Sequence, residues 1–216
     1  MRPDLGRRVR RVQAWQAARL SRTYQDLQAD PRLAPALEFF LSDLYGPQDF
    51  DQRNQQLLRA SDYLRRALPA AALAVLESSL ELEALTMELD QAMAMELPEA
   101  TVTAASYATA YRAVGRAEAR HRQIELLLDI GRRLDRIAHH AWIGLALRAS
   151  HGPAHLAGLG VLQDFLERGF AAFRRMRDAG PLLQAVETRE LALLQALFGG
   201  ESAARELLEP TTGCAS

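Results

Sequence analysis

The residues that invite a chemical reading first are Glu118 and His121, a Glu-x-x-His step inside a helical pattern. A spacing of three sets the carboxylate and the imidazole on one helix face. Di-iron carboxylate bundles use such a pair on each of two helices, with a single Glu from each of two more. Glu81 or Glu88 would supply a bridging carboxylate. The second Glu-x-x-His is missing: the nearest analogue, Glu187 and Glu190, has no imidazole. The metal candidates are therefore Glu81, Glu118 and His121, set against a plain surface ion-pair network of Glu118, Arg122 and Glu125.

Four more histidines cluster further on. His139 and His140 precede Trp142, while His151 and His155 flank Gly152-Pro153. If helices pack antiparallel across that turn, one or two of these imidazoles converge, and imidazole suits zinc, iron or haem iron. No carboxylate or thiolate accompanies them at a recognised spacing. Capping of helix ends and hydrogen bonds to loops are the preferred roles.

The densest aromatic stretch surrounds Phe39, Phe40, Tyr45 and Phe50. It reads as a helix corner, with Phe40 and Leu44 inward and Tyr45 over the joint. The alternative is an aromatic ligand pocket or partner site built on Phe39, Tyr45 and Phe50. Phe39-Phe40-Leu41-Ser42-Asp43-Leu44-Tyr45-Gly46 resembles the Phe-Phe-Leu-x-Asp-Leu-Tyr-Gly segment of an uncharacterised proteobacterial all-helical family. That resemblance implies no activity and carries over no catalytic residue. No nucleophile is indicated: Cys214 lies in a polar tail, and Gly158-Leu159-Gly160 follows no strand, as a dinucleotide loop must.

These residues must be positioned by helices, because nothing in the chain reads as a strand. Leu5, Val9, Val12, Leu20, Tyr24 and Leu27 form one apolar stripe, predicting a helix over 5–29. Asp30 as N-cap and Pro31 in the first turn start a second helix, which stops at Gly46-Pro47. Further helices are predicted over 51–68, 69–96 and 99–150. The last would exceed about 70 Å if unbroken, so a break is expected near Gly131. Gly152-Pro153 is read as opening a sixth helix to residue 177, and Gly180-Pro181 a seventh to 198. The 69–96 segment is apolar on two faces, which suits a central helix. The expected fold is all-α: a single-domain bundle of about seven or eight helices around 69–96, covering 1–210, with 211–216 as a disordered tail.

Composition sets the remaining limits. The chain has 216 residues, 49% hydrophobic and 25% charged, enough for one core. All basic residues are Arg, which fits a GC-rich bacterial coding bias. The net charge of -1 gives no global field toward nucleic acid or an acidic membrane. Locally, residues 1–22 are basic, 77–99 are acidic, and Arg112, Arg116 and Arg120 form a stripe. Neutralisation within the fold or across a dimer explains these runs better than nucleic-acid binding. A TetR-type regulator would need a basic recognition helix early in the chain, whereas 31–45 carries only Arg32. No apolar run approaches the roughly 18 residues of a membrane span, and the single Cys214 fits a reducing cytosol. The expected function is non-enzymatic: binding a partner protein or forming a homodimer in the cytoplasm, without nucleic acid, membrane or cofactor. A metal-dependent helical oxidase, di-iron-like or haem-handling, and a ligand-responsive regulator are the alternatives.

Overall fold

A computed structural model describes residues 3–40, 55–56, 70–98, 101–200, 204 and 207–208. Among the described residues the regular elements are all helical. They are α1 (Pro3–Thr23), α2 (Ala34–Phe39), α3 (Ala70–Glu96), α4 (Ala104–Val114), α5 (Ala117–Ala138), α6 (Ala141–Leu156), α7 (Gly160–Met176) and α8 (Gly180–Gly199). The predicted helix at 51–68 lies outside the described residues, apart from Gln55 and Gln56.

Several boundaries differ from the sequence expectation, each for a local reason. The first helix ends at Thr23, and a 3-10 turn over Leu27–Ala29 follows. Asp30 does not cap α2: its Oδ1 accepts the Arg32 N–H at 2.8 Å, and the helix starts at Ala34 with Pro35 in the first turn. The long 99–150 segment does not break at Gly131. It breaks at Gly115 and Arg116, both at positive φ, and again at His139 and His140. Gly131 lies buried inside α5, where a Cβ would stand 2.5 Å from Leu183 Cδ2. Its role is close approach between α5 and α8, not a hinge. Gly152-Pro153 does not open a helix either. Pro153 lies near the end of α6 on an exposed face, where one missing N–H is tolerated. At the front of α4, Thr103 Oγ1 accepts the Ser106 N–H at 3.1 Å and Ser106 Oγ accepts the Thr103 N–H at 2.9 Å. That reciprocal pair satisfies two otherwise orphaned donors.

The helix with most partners is α5, which packs on α3, α6, α7 and α8. Helix α3, expected at the centre, packs on α1, α4 and α5. Its buried residues are confined to the C-terminal part: Leu89, Asp90, Met93 and Ala94. Leu80, on this helix predicted to be central, is 41% exposed.

Two apolar clusters form the core. One joins Val9 and Val12 of α1 to Met93, Tyr107, Tyr111, Leu193 and Leu197. The other joins Leu20 and Tyr24 to Leu37, Phe39, Leu128, Phe173 and Val186. Helices α1 and α8 run through both, and each carries polar residues where it passes from one to the other.

Candidate functional site

The polar layer between the two clusters holds buried Gln16, Arg19, Asp90 and Arg120. Arg19 is ion-paired to Glu190, which also accepts the Tyr24 hydroxyl at 2.9 Å. Burial opposes the charge on Arg19, but the adjacent Glu190 carboxylate outweighs it and raises the pKa. Asp90 accepts from Gln13 Nε2 at 3.3 Å and Gln16 Nε2 at 3.2 Å. Burial pushes its carboxyl up to about 6, against the pull of the Arg120 charge and the two glutamines. Arg120 lies over the Tyr111 ring, 4.6 Å from its centroid, and Nη1 reaches Gln123 Oε1 at 3.4 Å. Its Nε and Nη2 have no hydrogen-bond partner among the described residues. The layer fixes how five helices register.

The residues singled out for metal binding are placed apart from this layer. Glu81 accepts from Arg122 at 2.9 Å. His121 Nδ1 lies 3.2 Å from Glu125 Oε1. Glu118 is exposed in the first turn of α5. Arg116 is paired to Glu88, so α5 neutralises part of the acidic α3 segment. Phe39 is buried, its ring 5.2 Å from that of Phe165 and against the backbone of Gly169. Tyr45 and Phe50 lie outside the described residues.

The histidines divide by helix face. His139 Nδ1 lies 2.6 Å from the Asp135 carbonyl oxygen at the end of α5, a capping position, and that contact raises its pKa. His151 and His155 belong to the face of α6 that packs on α7. That face begins at Gly144, where a Cβ would stand 2.8 Å from the Phe170 ring. It continues through Leu147, whose carbonyl accepts Gln163 Nε2 at 2.7 Å, and Ser150, whose hydroxyl donates to Gln163 Oε1 at 3.2 Å. It ends with His151 Nδ1 at 3.0 Å from Glu167 Oε1 and His155 Nε2 at 2.9 Å from Asp164 Oδ1. A groove of about 650 Å³ beside this interface carries Arg148, Arg174, Arg175 and Arg177 on its rim.

The opposite face of α6 is the reverse of a solvent surface. Trp142, Leu145, Ala149, Pro153 and Leu156 recur at steps of three or four, with Ala146 among them, and all six are exposed. Trp142 is 52% exposed, Leu145 60% and Leu156 92%. At about 1.5 Å per residue the stripe is about 21 Å long. None of its members carries a charge. At its Trp142 end a cavity of about 350 Å³ opens between Ala71, Ala72, Ile137 and Ile143, with Arg133, Arg136 and His140 also lining it.

Sequence reasoning named His151 and His155 but missed Asp164 and Glu167. The available signal was a carboxylate pair three apart on the next helix, the counterpart of two imidazoles four apart. It also missed the outward direction of the Trp142–Leu156 stripe.

A family model described as "Domain of unknown function (DUF8198)" matches residues 1–204. No curated protein and no solved structure matches the chain.

Proposed function

We propose that this chain, which belongs to the DUF8198 family, is a non-enzymatic helical protein that pairs with a second copy of itself through the outward face of α6. The six-residue apolar stripe carries the reading. A helix normally turns its apolar side inward, because burial stabilises by about 25 cal/mol per Å². Helix α6 sets its histidines, serine and glycine on the face toward α7 and leaves a tryptophan and two leucines exposed on the other. A second copy suits this surface because an uncharged stripe is self-complementary about a two-fold axis. The small residues Ala146, Ala149 and Pro153 let two such helices approach closely, and the cavity beside Trp142 offers a seat for a leucine of the other chain. Among the described residues no helix is long and apolar enough to cross a membrane, and we place the pair in the cytosol.

Sedimentation of the purified chain tests this. The expected mass is twice 24.0 kDa. Leu145→Asp places two carboxylates at the two-fold contact and should return the monomer with an unchanged helical spectrum, because Leu145 is 60% exposed in its own chain. A monomer at high concentration, or a Leu145→Asp protein that still pairs, refutes the proposal.

A further inference from the structure

We infer that His151, His155 and Asp164, with Glu167 beside His151, form a binding site for one zinc-class divalent ion, clamping α6 to α7. The inference is independent of self-association, since these residues point away from the outward stripe.

The geometry carries it. Ligand atoms of His151, His155 and Asp164 lie within 4.8 Å of one another. In a tetrahedral zinc site the bonds are about 2.0–2.2 Å, which sets neighbouring ligand atoms about 3.3 Å apart. The two histidine–carboxylate contacts, at 3.0 and 2.9 Å, are already near that edge length. The three atoms of His151, His155 and Asp164 draw together from within 4.8 Å by side-chain rotation, which leaves a fourth position for Glu167 or water. The imidazoles come from one turn of α6 and the carboxylates from one turn of α7, so both helices hold their pairs at fixed spacing. The rings lie 4.5 Å apart between centroids.

Two supporting features surround the four. Gln163 Nε2 donates to Glu167 Oε1 at 2.8 Å, orienting that carboxylate as outer-shell partners do. Gly160 gives His155 its position: a Cβ there would stand 2.7 Å from His155 Nδ1. The donor set of imidazole and carboxylate, with no thiolate, suits zinc and its borderline neighbours over soft monovalent ions, and over magnesium or calcium, which prefer oxygen alone. A bound ion takes one lone pair from each neutral imidazole, whose N–H then lies on the other ring nitrogen, and lone pairs from the carboxylate oxygen.

The full chain, stripped with chelator, is titrated with zinc chloride and, as a spectroscopic reporter, cobalt(II). One ion per chain is expected, with a Kd at or below about 1 μM, and tetrahedral cobalt bands. At about a hundredfold excess over Kd the melting midpoint should rise by about 5–10 °C. His155→Ala and Asp164→Asn should each weaken binding by at least about tenfold. Both residues are at the surface, so their circular dichroism should match wild type. Absence of uptake overturns the inference. So does equal affinity in the His151→Ala/His155→Ala double variant, which would place the ion elsewhere. Equal affinity in Asp164→Asn also overturns it, reducing the site to an adventitious pair of helical histidines.

Discussion

Asp90 offers the sharpest test of the interior, because its charge state sets the sign of a measurable pH dependence. Its carboxyl is 1% exposed and is pushed from 3.8 to about 6, chiefly by burial. A shift of about two units corresponds to about 3 kcal/mol, at 1.36 kcal/mol per unit. The folded pKa is above the unfolded one, so the folded state holds the proton more tightly. The stabilising contribution is then complete below pH 3.8 and is lost as the pH rises through about 6. The attraction of Arg120 is already inside that balance and does not reverse it. Asp90→Asn keeps the shape and removes the charge. At pH 8 it should be more stable than wild type by up to about 3 kcal/mol, or about 6–12 °C in melting midpoint for a chain of this size. Near pH 4 the two proteins should be closely matched. Urea unfolding of both at intervals from pH 4 to 8 measures the difference, and the subtraction cancels the other carboxylates. A difference that stays constant with pH means that Asp90 does not titrate there. An Asp90→Asn protein weaker than wild type at pH 8 means that Arg120, not burial, sets the charge state, and the reasoning fails.

Two further expectations concern the same helices. Glu190→Ala strands the buried Arg19 guanidinium and should destabilise by about 3–5 kcal/mol, while Arg19→Met combined with Glu190→Leu should recover most of that loss in chemical denaturation. Leu80→Asp should destabilise by no more than about 1–2 kcal/mol, because Leu80 is 41% exposed; unfolding of that variant would place Leu80 inside the bundle.

The helical class was legible because the stripes are long. Val9, Val12, Leu20 and Tyr24 are all buried along α1, as their spacing requires. The start of α8 at Gly180-Pro181 was legible because Pro fits a first helical turn. Glycine was not legible in the same way, because one residue serves two opposite purposes. Gly115 supplies a positive φ and breaks the chain, whereas Gly131 removes a side chain so that Leu183 can approach. Both look identical in sequence. The Asp164 and Glu167 partners were hidden for another reason: they lie 9 residues from His155 and 16 from His151. Those separations become contacts only once α6 and α7 pack antiparallel.

Periodicity identifies a helix face without saying which way it points, and α6 shows what decides. Gly144 is the residue on this helix that lets a ring come to its backbone, and Phe170 of α7 takes that place. Once Gly144 docks, Leu147, His151 and His155 follow at steps of three and four, so they must face α7. Trp142 and Leu145 lie on the far side, as do Ala149, Pro153 and Leu156 one to four turns on. There Trp142 and Leu145 are only partly covered and Leu156 is almost wholly exposed. The inward face compensates for its lack of oil with hydrogen bonds from Gln163, Asp164 and Glu167. Polar contacts of this kind are worth only about 0.5–1.5 kcal/mol each. Exposure of Leu156 forfeits about 1.5–3 kcal/mol, and that of the half-covered Trp142 and Leu145 roughly half as much each. Helix α6 therefore leaves unused stabilisation on its outer surface, and that is the energy a second copy would recover in the proposed pairing.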